Sequence, residues 1–216
     1  MLRKVFWEDP YLAHLDTEVA SVDGDAVTLA ATIIYAVSGG QESDQGTIAG
    51  HEVREARKAG QDIIYTLPPG HGLMPGQKVA TTIDWARRYR LMRLHFAAEI
   101  VLELVYRDLG PIEKIGAHIA ADKARIDFAR EQPVTQELLR LTARANAVIA
   151  ADLQITSAFS DEAAGRRFWQ VPGFDPVPCG GTHLKRTSEV GPIALKRRNI
   201  GKGKERIEIV FAADAC

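Results

Sequence analysis

Two side chains that bind soft metal ions lie close together in residues 179–183, where two glycines and a threonine separate a thiol from an imidazole. Thiolate sulfur and imidazole nitrogen are ligands that zinc selects, with bonds of about 2.0 to 2.3 Å. An imidazole and a carboxylate at positions i and i+4 of a predicted helix share one face and offer two more ligands. The sequence therefore predicts a zinc site whose four candidate ligands are His95, Glu99, Cys179 and His183.

Glu99 has a second interpretation as a residue of a solvent-exposed helix face. Glu103 and Arg107 follow at the same four-residue interval, and charged pairs at this spacing commonly form surface ion pairs. A cysteine and a histidine four residues apart are also a weak indication of a metal site when they stand alone. The zinc prediction consequently depends on the sequences that flank the two segments.

Composition indicates one large domain or two small domains of a soluble globular protein. The chain has 216 residues, of which 46% are hydrophobic, and this fraction suffices for a core. The formal net charge is −1, so the charge of the whole molecule does not favour nucleic acid or a membrane. There are two cysteines, one of them the last residue, Cys216, which excludes a disulfide framework and predicts a reducing compartment. Without a secretory signal or a run of roughly 20 apolar residues, we expect a cytoplasmic protein.

Positive charge is concentrated in two local clusters. The first contains Arg87, Arg88, Arg90 and Arg93, and the second contains Lys196, Arg197, Arg198, Lys202, Lys204 and Arg206. Both compositions are typical of a solvated surface. Glycines interrupt the second cluster, however, and predict a flexible basic loop that can follow a phosphate backbone. The candidate phosphate contacts are Lys202, Lys204 and Arg206.

The elements that must position these side chains change character near Asp84. Before it, β-compatible runs are separated by Asp23-Gly24 and by proline–glycine turns, and they predict short strands of a small β-barrel or sandwich. We predict that residues 1–84 form this β domain. Asp84 can cap a long helix whose apolar residues recur with helical period, and Gly110-Pro111 is expected to end it.

Residues 85–216 predict a second domain in which helices and strands are mixed. The predicted strands are residues 115–120, 123–129, 154–159, 191–199 and 205–211, and the predicted helices are residues 135–152 and a short one around 161–168. The predicted fold class is therefore α+β, with a barrel-like β domain followed by an antiparallel sheet that carries helices on one face.

Four stretches of the sequence match a known family in order and together span most of the chain. They are residues 32–46, 83–95, 179–192 and 201–207. The first resembles a T-x-F-Y-P-x-x-G-G-Q-x-x-D-x-G element, and the second resembles the approach to an H-x-x-x-H helix. Both elements belong to the AlaX-type alanyl-tRNA editing proteins, the free-standing relatives of the editing domains of alanyl- and threonyl-tRNA synthetases. The chain is similar to the medium-length members of this family.

The resemblance implies a zinc-dependent hydrolase that removes serine or glycine from the tRNA for alanine. A synthetase pocket built for a small apolar side chain rejects an added hydroxyl only weakly, so a second hydrolytic site is needed. By position, Thr32 would bind the serine hydroxyl and Gln41 would orient the aminoacyl ester or the terminal ribose, while the basic loop would hold tRNA phosphates. Without the resemblance, Thr32 is a β-branched strand residue and Gln41 is a turn residue after two glycines.

The sequence departs from the family at two places. Glu99 stands where the family usually has its second helix histidine, and Ile34-Tyr35-Ala36 stands where it usually has Phe-Tyr-Pro. Three alternatives remain for Glu99: it is the fourth zinc ligand, it is a general base beside the metal, or the site has lost its metal. Two rival functions also remain, namely a hydrolase of another aminoacyl-tRNA or aminoacyl ester and a zinc-containing tRNA-binding module without turnover.

Overall fold

Short strands joined by tight turns form the first part of the chain, as the turn residues predict. The computed structural model describes residues 2–214 and divides them into unit 1, which contains residues 2–38 and 42–89, and unit 2, which contains Gly39–Gln41 and residues 90–214. The elements before the long helix are β1 (Arg3–Lys4), α1 (Val5–Glu8), β2 (His14–Asp23), β3 (Ala26–Leu29), β4 (Ala31–Thr32), β5 (Gly46–Ile48), β6 (His51–Glu52), β7 (Glu55–Ala59), β8 (Asp62–Thr66) and β9 (Lys78–Ile83).

Unit 1 is built around one curled antiparallel sheet with the strand order β6-β5-β9-β2-β3-β8-β7. Gly24 lies in the turn between β2 and β3 with a φ of +59°, a left-handed conformation that glycine adopts without steric cost. Val19, Val27 and Tyr65 are completely buried on the inner face of this sheet. The arrangement confirms the prediction of a barrel-like β part.

Arg88 is part of the core of unit 1, so its interpretation as a solvated surface charge is wrong. Its guanidinium pairs with the Asp44 carboxylate, with 2.7 Å between Nε and Oδ1, and both side chains are fully buried. It also donates to the carbonyl oxygens of Pro10 and Ile33, at 3.0 and 2.5 Å. Asp44 in turn accepts a hydrogen bond from the backbone N–H of Tyr35 at 2.6 Å. Every strong donor and acceptor of this ion pair is thereby satisfied, which is the condition for burying it.

The longest helix and the elements of unit 2 follow. They are α2 (Trp85–Leu109), β10 (Lys114–Ile119), β11 (Ala124–Ala129), α3 (Thr135–Ala150), β12 (Thr156–Asp161), β13 (Arg166–Gln170), β14 (Val177–Pro178), β15 (Ile193–Asn199) and β16 (Lys204–Phe211). Asp84 caps α2 as predicted, because its Oδ1 accepts the N–H of Arg87 at 3.0 Å, and Gly110 follows the helix with a φ of +79°. Within residues 2–214, no helix combines the length and the apolar character that crossing a membrane requires.

Unit 2 contains two antiparallel sheets. One has the order β10-β11-β16-β15, and the other has the order β12-β13-β14. Helix α3 packs on β15 through a stripe of buried residues at four-residue intervals, Leu141, Ala145 and Ile149. Helices packed on antiparallel sheets confirm the predicted α+β class.

The short helix expected around residues 161–168 is wrong, because this segment is the hairpin β12–β13. Asp161 accepts the N–H of Ala164 at 2.9 Å, and Gly165 has a φ of +63°, so the chain turns here. After the turn, Arg167 and Trp169 are buried and alternate with less buried neighbours, which is the two-residue period of a strand.

Candidate metal centre

The structure brings the four predicted ligands together within unit 2. His95 and Glu99 lie one turn apart on α2, while Cys179 and His183 lie in the loop that follows β14. One ligand atom from each of the four residues lies within 4.8 Å of the other three. The long helix therefore supplies two ligands, and the glycine-containing loop supplies the other two.

The distances between these atoms suit one tetrahedral zinc ion. His95 Nε2 lies 3.3 Å from Cys179 Sγ and 3.2 Å from one carboxylate oxygen of Glu99. The other carboxylate oxygen of Glu99 lies 3.4 Å from His183 Nε2. Zinc bonds of about 2.0 to 2.3 Å separate the ligand atoms of a tetrahedral site by about 3.3 to 3.8 Å. These three pairs therefore lie at or close to the spacing of shared coordination, while the four ligand atoms together lie within 4.8 Å of one another.

Two buried atoms of the cluster point to a cation as their missing partner. Glu99 Oε2 and His183 Nε2 have no hydrogen-bond partner within residues 2–214. A buried polar atom left in this state costs about 1 to 3 kcal/mol. A cation bound by both atoms would compensate for this cost, and two imidazoles, a carboxylate and a thiol are a donor set that zinc accepts. The residues present therefore fit the metal.

The loop requires a glycine at position 181, two residues after Cys179. A Cβ atom at this position would lie 2.4 Å from His95 Cε1, well inside van der Waals contact. The backbone N–H of Gly181 also points towards Cys179 Sγ, 3.4 Å away. The loop can press against the His95 imidazole only because Gly181 has no side chain.

The outer nitrogen of each imidazole has its own polar partner. His95 Nδ1 lies 2.5 Å from Oε1 of Gln41, and His183 Nδ1 lies 3.0 Å from Oγ of Ser157. Such partners turn the other nitrogen, Nε2, towards a metal. Ser157 was not among the predicted site residues, since a serine in a strand carries no distinguishing signal.

The charges of the cluster depend on one another. Burial alone would lower the pKa of His95, but the neighbouring charges of Cys179 and Glu99 outweigh burial and raise it well above the usual value. Burial alone would raise the pKa of Glu99, but His95 and His183 hold it far below its usual range. Burial and the charge of Glu99 both raise the pKa of Cys179, yet the positive charge of His95 and the proximity of His183 bring it below the usual value. The carboxylate and the thiolate, the forms that bind metal, are thus favoured.

Thr32 is completely buried in unit 1. Its hydroxyl accepts the backbone N–H of Ile34 at 3.0 Å and lies 2.7 Å from the phenol oxygen of Tyr65. The Tyr65 hydroxyl also donates to the carbonyl oxygen of Ile34 at 3.2 Å. If the Tyr65 proton goes to that carbonyl, the Thr32 hydroxyl donates to Tyr65 and keeps one lone pair to accept a further hydrogen bond.

The predicted phosphate contacts differ in their surroundings. Lys202 and Lys204 are exposed at the turn between β15 and β16. Arg206 lies within β16 and is partly buried, and its Nε and Nη2 donate to the two oxygens of Asp127 at 2.7 and 3.0 Å. Through this paired hydrogen bond Arg206 links β16 to β11. The two lysines, in contrast, have the exposure that a phosphate contact requires.

Unit 2 thus combines helices and antiparallel sheets with a cluster of two histidines, a glutamate and a cysteine that could hold a metal ion. Residues 167–208 match the family model described as the threonyl and alanyl tRNA synthetase second additional domain. The chain is 31% identical to the alanyl-tRNA editing protein AlaX-M of Pyrococcus horikoshii, over 97% of both chains. It is 33% identical to the AlaX-M protein of Saccharolobus solfataricus, over 96% of this chain and 98% of the relative. The chain belongs to the AlaX-M family of alanyl-tRNA editing proteins.

The same sequence also resembles one part of a larger enzyme. It is 33% identical to the alanine–tRNA ligase of Staphylothermus marinus over 96% of this chain, which corresponds to 26% of the ligase. Nearly all of this chain therefore matches about a quarter of that ligase.

Proposed function

We propose that this protein is a trans-editing deacylase that hydrolyses the ester between the tRNA for alanine and a wrongly attached serine or glycine. Membership of the AlaX-M family over nearly the full length of the chain supports this activity. The proposal rests on the convergence of His95, Glu99, Cys179 and His183 in one cluster, in which the histidines are buried and the other two residues are partly buried.

These four residues would hold a zinc ion in the proposed site. A zinc ion bound there supplies positive charge that polarises a carbonyl group and favours the deprotonation of water. Hydrolysis then requires that water adds to the ester carbonyl carbon, that the bond to the ribose oxygen breaks, and that this oxygen receives a proton. Editing would leave the free amino acid and an intact tRNA.

Glu99 is proposed as the fourth ligand rather than the general base. Its two oxygens lie 3.2 and 3.4 Å from the Nε2 atoms of His95 and His183. The carboxylate therefore lies directly beside the imidazole nitrogens that would bind the metal. In the alternative role, Glu99 would accept the proton of the attacking water at one oxygen and return it to the departing ribose oxygen. Its lowered pKa keeps the carboxylate ionised at neutral pH, which suits either role.

Thr32 is proposed as the residue that distinguishes serine from alanine. The lone pair that remains on its hydroxyl would accept the hydroxyl proton of serine. Alanine offers no such proton and would leave the buried lone pair unsatisfied. An unsatisfied buried group costs about 1 to 3 kcal/mol, and the seryl ester would be favoured by this free energy. Thr32→Val should therefore reduce the preference for seryl over alanyl ester by about tenfold or more.

Deacylation assays with defined tRNA test the proposed function. The purified protein, supplied with zinc, should release serine or glycine from the tRNA for alanine faster than it releases alanine, and Cys179→Ala should abolish the release. If the protein left these substrates intact but rapidly hydrolysed a different aminoacyl-tRNA, its substrate would be another aminoacyl ester. Binding of the tRNA without release of any amino acid would contradict an enzymatic role.

A further inference from the structure

Gln41 is a buried residue whose polar atoms are both engaged within unit 2. Its side chain is completely buried, although the residue ends an exposed glycine turn. The carbonyl oxygen Oε1 lies 2.5 Å from His95 Nδ1, and the amide nitrogen Nε2 donates to the Thr182 hydroxyl at 3.2 Å. The amide therefore links the helix ligand His95 to the loop that carries Cys179 and His183.

We propose that Gln41 is a positioning residue that fixes the tautomer and the ring orientation of His95, and that it does not contact the aminoacyl ester or the ribose. The amide oxygen can only accept, so His95 must carry a proton on Nδ1, and in the neutral ring that binds a metal the lone pair then lies on Nε2, which faces Cys179 and Glu99. This inference depends on the metal centre of the proposed function but not on the identity of the substrate.

Thr182 binds the amide nitrogen of Gln41, opposite the oxygen that faces His95. A glutamine that turned its amide group by 180° would present N–H donors to His95 Nδ1 and would favour the opposite tautomer. An imidazole whose Nε2 faces a metal carries its proton on Nδ1 and needs an acceptor there, so the observed orientation, in which Gln41 Nε2 donates to the Thr182 hydroxyl, suits a metal ligand. Thr182 is itself buried and directly precedes the ligand His183, so one hydrogen-bond chain connects both ligand-bearing segments.

The glycines before Gln41 have a structural reason that agrees with this role. Gly39 and Gly40 have φ values of +61° and +88°, and a Cβ atom at Gly40 would lie 2.7 Å from the carbonyl oxygen of Ala117. The Ile119 N–H donates to the Gly40 carbonyl oxygen at 2.8 Å, and Gln41 forms a parallel bridge with Ile119. The two glycines thus let the loop lie directly against β10, and β10 holds the Gln41 backbone in place.

Three variants test the inference through metal affinity. Gln41→Leu removes the acceptor at similar volume, and loss of such a partner typically weakens metal binding 10- to 100-fold. Gln41→Glu keeps an oxygen for His95 Nδ1, and the Thr182 hydroxyl can rotate to donate to the other oxygen, so affinity should stay within about threefold of wild type. Gln45→Leu changes an exposed glutamine four residues further on and is the matched control. Zinc affinities are measured by competition with a chelator of known affinity.

Long-range ¹H–¹⁵N spectra of histidine-labelled protein give a second readout, which reports the tautomer directly. Wild type and Gln41→Glu should show His95 protonated on Nδ1, with or without zinc, and Gln41→Leu should lose this single tautomer. An Nδ1 without a proton in wild type would overturn the inference. Unchanged zinc affinity in Gln41→Leu, together with a raised KM for the ester, would also overturn it, because Gln41 would then be a substrate contact. A wild-type protein that binds no zinc would refute the metal centre, whereas the spectra would still decide the role of Gln41.

Discussion

At the scale of single residues, Glu99 stands where the family resemblance leads us to expect a histidine. A histidine offers a metal one nitrogen, whereas Glu99 places two oxygens between the Nε2 atoms of His95 and His183. The carboxylate also brings a negative charge, which with the Cys179 thiolate would neutralise a divalent cation. The change is thus compatible with a retained metal centre of different charge.

Substitution of Glu99 with alanine distinguishes a metal ligand from a general base. If it is a ligand, Glu99→Ala should weaken zinc binding at least tenfold, because one of four bonds is lost. If it is the general base, zinc affinity should persist while the deacylation rate falls by about 10² to 10⁴. Glu103→Ala, one turn further along α2 and partly exposed, is the control and should change neither quantity. Full zinc affinity and full rate in Glu99→Ala would exclude both roles.

The sequence identifies the candidate ligands because cysteine and histidine are rare and their spacing on a helix or a short loop is informative. The partners of those ligands are harder to find. Ser157 precedes His183 by 26 residues, and the sequence offers no reason to connect them. Gln41 was recognised through its motif, but the role expected from the motif was a substrate contact, since only the fold shows that its amide faces His95.

At the scale of elements, local signals predicted most boundaries where a turn or cap residue is present. Helix α2 begins after Asp84 and ends before Gly110, as their conformational preferences require. Strand β13 was missed because the acidic and alanine residues at 161–164 are also typical of a helix start, whereas the pairing from Thr156↔Gln170 to Asp161↔Arg166 makes this segment the turn of a hairpin. The burial of Arg88 was missed because its partner Asp44 lies 44 residues away.

The buried ion pair of unit 1 gives a prediction about stability. Asp44→Ala should lower the free energy of unfolding by about 3 to 5 kcal/mol, because it leaves the buried Arg88 guanidinium without a counter-charge. Glu42→Ala removes the partly exposed pair with Arg87 and should cost about 1 kcal/mol or less. Urea unfolding followed by circular dichroism measures both changes. Equal losses in the two variants would contradict the structural role given to the buried pair.

The pairing of β11 with β16 gives a prediction about pH. Burial alone would raise the pKa of Asp127, but the hydrogen bond from Arg206 and the charges of Arg125 and Arg206 hold it below its usual range. A carboxylate whose pKa is lower in the folded state adds stability above its unfolded pKa of about 3.9, and this stability is lost as the pH falls through the folded value.

Asp127→Asn should accordingly be less stable than wild type at pH 7, and the difference should shrink between pH 4 and the most acidic pH at which wild type still folds, about pH 2 to 3. Urea unfolding of both proteins across this range is the measurement. A difference that stays constant with pH would show that the Asp127 charge does not stabilise this strand pair.

At the scale of the whole molecule, a net charge of −1 means that tRNA must be attracted by local charge. The exposed Lys202 and Lys204 are the predicted phosphate contacts. Changing both to alanine should raise KM for aminoacyl-tRNA with little change in kcat, and should reduce the slope of log affinity against log salt by about one per lost contact. Lys78→Ala, an exposed lysine of unit 1, is the control. An unchanged salt slope in the double variant would exclude these contacts.

Element-resolved metal analysis of the untagged protein decides whether residues from α2 and from the loop after β14 bind one metal ion. We expect one zinc ion per chain in wild type, and less than one tenth of that in Cys179→Ala and His183→Ala variants whose circular dichroism spectra show retained secondary structure. A wild-type protein that takes up no metal after incubation with zinc would rule out this metal centre, as would full zinc content in either variant.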